Sequence, residues 1–277
     1  MKSYLFLFLL LVFPFLLIAQ NGNSISSGAK GAAMANTSVT FQDVFALTKN
    51  QAGIAFLSET SIGLLGEQRF LNNDIRHVGL VAAMPSSFGS FGILIQSFGF
   101  DAYNEQKIGL AYGRKLAKNF AVGIQFDYLN TRIPEYGNQG AITFEGGIQA
   151  EILENFWLGA SVFNPIRTQE QDSIGIVNTT KFNFGLSYMF SKKILIAAEV
   201  EKDFEYATAV KVGLDYRIIE PVSLRLGIGT APTLNSFGIG IHLKQFRLDF
   251  AANYHQILGF TPTFSMNYNF GKNNSKK

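Results

Sequence analysis

Between Ser61 and Phe270 the chain alternates apolar residues with small or polar ones at a period of two. Phe120, Val122, Ile124, Phe126 and Tyr128 share one face, and Ala121, Gly123, Gln125 and Asp127 share the other. Because successive strand side chains point to opposite sides of a sheet, such a run is a strand set between two different solvents. Ile142, Phe144, Ile148 and Ile152 alternate in the same way with Thr143, Glu145, Gln149 and Glu151. So do Phe182, Phe184, Leu186, Tyr188 and Phe190 with Lys181, Asn183, Gly185 and Ser187. Marking every run predicts about fourteen strands, at 61–70, 75–84, 90–100, 106–116, 119–129, 141–152, 155–164, 181–190, 193–203, 208–218, 221–230, 236–244, 246–256 and 261–270. No stretch of this region calls for a long helix.

An even number of tilted strands, each about ten residues long, suits a membrane barrel with short turns at one end and longer loops at the other. The connection lengths follow that parity. The predicted outer connections, 101–106, 130–140, 165–180 and 231–235, include the two longest, whereas 85–89, 117–118, 153–154, 191–192, 219–220 and 245 are short. A soluble Greek-key sandwich gives no reason for such alternation. The repeated face of Ile, Leu, Val, Phe and Tyr has no wide core to enter, so lipid is its natural solvent. Closure then pairs every strand N–H and C=O without an edge. The expected fold is all-β: a transmembrane antiparallel β-barrel over 58–270, preceded by a short plug segment. It is placed in the bacterial outer membrane, with that membrane's lipid as a partner.

Composition narrows the function classes. Hydrophobic residues make up 47% and charged residues 16% of the 277 positions, against about 25% charged in soluble domains. The formal charge of +3 is spread along the chain, so no basic field exists for a nucleic-acid backbone. The absence of Cys removes disulfides, thiolate nucleophiles and Cys-ligated metals.

Residues 1–19 read as a secretory signal: Lys2 precedes an apolar run, 4–18, interrupted by Pro14 and shorter than the roughly 20 residues of a spanning helix. Cleavage is expected after Ala19. In 20–57, Gly28, Gly31, Ala32, Ala33 and Ala35 crowd together before a mixed apolar stretch, 39–47. Small residues permit close backbone packing, and Met34, Val39, Phe41, Val44, Phe45 and Leu47 disfavour a tail lying in water. The segment is therefore expected to plug the mouth of the barrel, whose width leaves space to fill. A polar tail, 271–277, follows the last strand.

The inward face carries charge sorted by sign. Asp127, Glu145, Glu151, Glu199, Glu201 and Asp203 come from earlier strands, and Lys211, Arg217, Arg225, Lys244 and Arg247 from later ones. Glu199 and Glu201 lie one strand before Lys211 and Arg217, which predicts a cross-strand ladder contributing roughly 0.2–1 kcal/mol per solvated pair. Such a wall serves either as a polar pore lining or as lumen-filling ion pairs. His242 and His255 fall on the same lumen face with Asp249 nearby in sequence. Yet no serine stands in a nucleophile elbow, so no catalytic, metal or cofactor site is expected. Gly238 and Gly240, at strand spacing, are expected to ease barrel curvature.

Gly28-Ala-Lys-Gly31-Ala-Ala-Met34, then Ser38-Val39, Asp43 and Asn50-Gln51-Ala52-Gly53, resemble the N-terminal stretch of FadL-like outer-membrane proteins. Within them the likeness is to the PorV/PorQ-type branch of Bacteroidetes-like bacteria, with Gln51 where the family pattern has Pro. Phe264, Tyr268 and Phe270, outward on the last strand, resemble the signal by which outer-membrane barrels are recognised for insertion. The resemblance implies a fourteen-strand barrel without an active site, and two functions. One is a role in type IX secretion or surface protein export, with secretion-system proteins or exported substrates as partners. The other is passive transport of hydrophobic small molecules such as fatty acids. The short outer loops leave little room for a ligand-capture region, which favours the secretion branch.

Overall fold

The computed structural model of the chain describes residues 26–134, 137–166 and 179–271. The expected signal sequence, its cleavage site and residues 272–277 of the tail lie outside the described residues. Fourteen strands follow one another: β1 Ser61–Gln68, β2 Arg76–Ser86, β3 Gly89–Phe100, β4 Tyr103–Ala117, β5 Phe120–Ile133, β6 Gly137–Leu153 and β7 Phe156–Phe163. The second half comprises β8 Lys181–Ser191, β9 Ile194–Asp203, β10 Ala209–Ile219, β11 Val222–Gly229, β12 Leu234–Leu243, β13 Phe246–His255 and β14 Gly259–Asn269. Each pairs antiparallel with its sequence neighbours, and β14 returns to β1 with Ser61 opposite Asn269, closing the barrel. The predicted strands are all present.

At the end that holds the start of β1 and the end of β14, the connections 87–88, 118–119, 154–155, 192–193, 220–221 and 244–245 are all two residues long. At the opposite end they vary. There the long loop expected at 130–140 is largely strand: Thr131 faces Gln139, Arg132 faces Asn138 and Ile133 faces Gly137. Its polar composition read as a loop, but the ladder places Thr131 and Gln139 inward, where both are buried, and leaves Arg132 and Asn138 exposed on the outer side. Strand likewise replaces part of the loop expected at 101–106, where β4 begins at Tyr103.

Outward side chains form the apolar wall. Leu110, Phe126, Ile142, Phe184, Leu226 and Phe264 are all more than half exposed on it, as lipid-facing residues must be in an isolated chain. Aromatic pairs mark both rims. Phe91–Tyr112, Phe246–Tyr268 and Tyr268–Phe270 lie at the short-turn end with ring centroids 5.2, 4.6 and 4.7 Å apart. Tyr254–Phe260 and Phe182–Phe204, at 4.9 and 5.8 Å, lie at the other. Two aromatic girdles around an apolar band are the signature of a membrane-spanning barrel.

The core is inside. Residues 26–57 occupy the lumen, with α1 over Gly28–Ala33 and 3-10 turns over Val44–Thr48 and Gln51–Phe56. Val44, Phe45, Leu47 and Ile54 pack on the inward Leu65, Val81 and Leu94. Ala29, Ala32 and Ala33 pack on Ala251, and Met34 and Phe41 on Ala197. Met34, Val39, Phe41, Val44, Phe45 and Leu47 are each at most 3% exposed, so the barrel wall supplies the cover that water would deny them.

Candidate functional site

The inner segment lies on a girdle of small residues that runs around the lumen. Across the strand ladder Gly113 faces Gly123, which faces Gly147, and Gly159 faces Gly185. Gly213 stands between Ala197 and Gly227, and Gly238 faces Ala251. A side chain at these positions has nowhere to go. A Cβ on Gly147 would stand 2.0 Å from Asn50 Oδ1, one on Gly123 2.3 Å from the Ala52 nitrogen, and one on Gly227 2.4 Å from the Ala35 nitrogen. Backbone of the segment thus rests directly on backbone of the wall, which only a missing side chain permits. Gly238 belongs to this girdle, since its Cβ would meet that of Ala33 at 2.6 Å. Gly240 leaves room for the Arg225 guanidinium, 2.4 Å from where its Cβ would be. Close packing rather than barrel curvature explains both glycines.

Two polar anchors tie the segment to the wall. In the first, Glu199 accepts N–H bonds from Ser38 and Val39 at 2.8 and 3.0 Å and takes the Lys49 ammonium at 2.6 Å. Lys49 also donates to the Asn36 carbonyl at 3.0 Å and reaches Glu201 at 3.4 Å, and Lys211 closes the cluster on Glu201 at 2.7 Å. Lys211 stands directly opposite Glu199 in the ladder. It pairs with Glu201 instead because Lys49 has taken Glu199. In the second, Asp43 accepts from the Phe45 N–H at 3.0 Å and pairs with Arg247 at 2.9 Å. Arg247 and Arg225 share Asp249 at 2.8 and 2.7 Å, and Arg225 also holds Asp215 at 2.9 Å. Buried charges of this kind persist only when paired and hydrogen-bonded.

The motif residues cluster on these contacts. Asn50 is fully buried, donating to the Val39 and Ile148 carbonyls at 2.7 and 3.0 Å and accepting from the Ala52 N–H at 3.2 Å. Gln51, in place of the Pro of the family pattern, donates to Glu145 at 2.6 Å. Gly28 adopts φ +66°, in the left-handed region, beneath the Phe45 ring. Gly31 lies against Ser27, Gly53 against the Phe41 carbonyl, and Met34 against Gly213 and Gly227. Phe264, Tyr268 and Phe270 lie on the outer wall, with Phe264 51% and Phe270 57% exposed.

Three sequence-level groupings separate in space. Arg217 does not join the ladder. It lies opposite Ser223, and antiparallel register carries it six residues past Lys211, about 20 Å, toward the short-turn end. His242 pairs in register with Arg247 near the short turns and shares a 3.3 Å contact with Ser223, while His255 lies at the far end of β13 beside Phe70. Eight residues of strand, about 26 Å, part the two histidines, so they form no joint site. Lys244 sits in a turn. Conversely, Lys30, 3.9 Å from Asp43, joins Lys49 and Asp215 in the anchoring, although the sequence pattern does not set these three apart. The overlooked signal was glycine at an inward position of strand after strand.

No family model matches the chain, and no curated protein matches it. Solved structures do match in fold. The CymD monoaromatic hydrocarbon channel aligns with a TM-score of 0.72 at 11% identity, covering 90% of this chain and 99% of its own. The Pseudomonas putida toluene transporter TodX gives 0.65 at 13% identity, covering 87% and 96%. A Pseudomonas aeruginosa FadL homologue gives 0.66 at 12%, covering 89% and 99%. The chain therefore has the fourteen-strand barrel fold of FadL-type outer-membrane channels. None of these three proteins is named for secretion, and the PorV/PorQ expectation draws no support from them.

Proposed function

We propose that the protein is a non-enzymatic outer-membrane channel that carries hydrophobic small molecules, with the segment up to residue 57 acting as its plug. The observation that carries this reading is the girdle: a lumen lined with glycine at one level, and a segment laid across it and tied by two polar anchors. A barrel built only as a rigid membrane anchor has no need to reserve so narrow a level for a separate stretch of chain. The likeness of most of the chain to a monoaromatic hydrocarbon channel and a toluene transporter supports the same reading, and favours it over secretion.

The test compares the wild type with Asp43→Ala/Asn50→Ala, which removes one anchor and the central hydrogen-bonding corner of the segment. Outer-membrane vesicles carrying the double variant should take up radiolabelled toluene faster than wild-type vesicles, with barrel yield preserved. Equal uptake by the wild type, the variant and vesicles lacking the protein would sink the channel reading. Recovery of secretion subunits with the native protein would favour the role in protein export.

A further inference from the structure

Resting on that channel reading, we infer that the permeant is an apolar molecule carrying one uncharged hydrogen-bonding group, and that His77 and Gln96 recognise that group. Toward the long-loop end, where Ser26 of the inner segment donates to Glu67, the direct ladder partner of His77, every lumen cation of the described strands β4, β8 and β10 is already held. Lys107 pairs with Asp127 and Glu145, Lys181 with Asp203 and Lys211 with Glu201. Arg69, just past β1, is held by Glu67. No ammonium or guanidinium among them is left over for a ligand carboxylate.

Uncharged polar groups in the same half are differently placed. Both ring nitrogens of His77 and both amide atoms of Gln96 are buried without a hydrogen-bond partner, the residues being 1% and 3% exposed. They stand on adjacent strands. His77 faces Phe98 and Gln96 faces Gly79 in the β2–β3 ladder, so the two are diagonal neighbours on the inward face, within reach of one small group. Gly79 has no side chain between them, and the place its Cβ would take lies 3.2 Å from Gln96 Cγ. Gln96 is four residues, about 13 Å, beyond Gly92, whose Cβ would meet the Leu47 side chain of the inner segment. Leu65 and Leu94 form the apolar floor below, and Phe98 stands beside it.

These polar atoms lack a partner within the protein and are closed off from solvent, so a group admitted between them gains hydrogen bonds that the protein itself leaves unmade. An imidazole and a carboxamide offer donors and acceptors together, which suits an alcohol, a phenol or an amide. A bare hydrocarbon leaves these atoms unpaired, and an ionised acid finds no counter-charge. Discrimination by unpaired polar groups is steeper than discrimination by apolar bulk.

The test titrates detergent-purified protein with toluene, p-cresol and 4-methylbenzoate, three rings of nearly equal size, by calorimetry. p-Cresol should bind about tenfold more tightly than either of the others, the factor one net hydrogen bond supplies. In His77→Phe/Gln96→Leu the preference should vanish while toluene affinity changes less than about twofold. Should the double variant fail to form a heat-modifiable barrel, the nearly isosteric Gln96→Met should still lower p-cresol affinity and spare toluene. An undiminished p-cresol preference in a folded variant, or 4-methylbenzoate binding as tightly as p-cresol, would overturn the assignment while leaving the channel intact. Binding of none of the three would overturn the channel reading and this one with it.

Discussion

At the scale of single residues, lumen positions divide into those that touch the inner segment and those that touch each other, and substitutions should report the difference. Gly147→Leu places its first carbon within 2.0 Å of Asn50 Oδ1. Overpacking costs of about 1–3 kcal/mol are expected to fall on the docked segment rather than on the ladder. Limited proteolysis should then cut within 26–57 while unboiled protein still runs as a folded barrel; protection equal to wild type would refute the contact. Lys49→Met leaves Glu199 buried and 1% exposed without its cation, a loss of about 3–5 kcal/mol in comparable buried pairs. Lower detergent stability of Lys49→Met, partly restored by adding Glu199→Gln, is the expected pattern. On the outer face, Phe184→Arg should cost about 2–4 kcal/mol near the middle of the bilayer. Ser187→Arg, mild if the lumen held water, is also damaging here because Ser187 is 5% exposed.

At the scale of elements, the antiparallel ladder decides which charges meet. Glu201 sits opposite Ala209 at one end of the β9–β10 pair, and Leu195 opposite Asp215 toward the other. Sequence proximity of Glu199, Glu201, Lys211 and Arg217 therefore translates into one cluster around Lys211 and a distant Arg217. The inner segment behaves as an element of its own. Its helix of six residues, Gly28–Ala33, is too short to stand alone in water and is held by the wall through Ala251 and the Ala29 N–H, which donates to Ser265 Oγ at 2.9 Å. A peptide spanning 26–57 should accordingly show no helical circular dichroism in buffer. A helical spectrum would mean that the segment is preformed and merely docks.

At the scale of the whole molecule, closure of β14 on β1 gives every described strand two neighbours. Unboiled protein should migrate apart from boiled protein in detergent gels, and deleting β14 should abolish that difference. Retention of the shift without β14 would contradict the closed topology.

The period-two alternation alone determined that the chain forms lipid-facing strands, and nearly where each lies, because pleating and the difference between two solvents act on every residue independently of its distant neighbours. Phe126 faces out and Asp127 in whatever the rest of the barrel does. The extra length of β5 and β6 was hidden because both faces there are polar, the inward Thr131 and Gln139 being buried without an apolar alternation to mark them. The site was legible only in part. Asp43 and Asn50 stood out through the resemblance of their stretch to a family pattern, yet their partners, Arg247 and the Ile148 carbonyl, lie 204 and 98 residues away. Only the closed barrel, by bringing the small inward residues of many strands to one level, decided that Lys49 should meet Glu199. Such contacts depend on register summed around the circumference, a quantity that no local stretch of sequence contains.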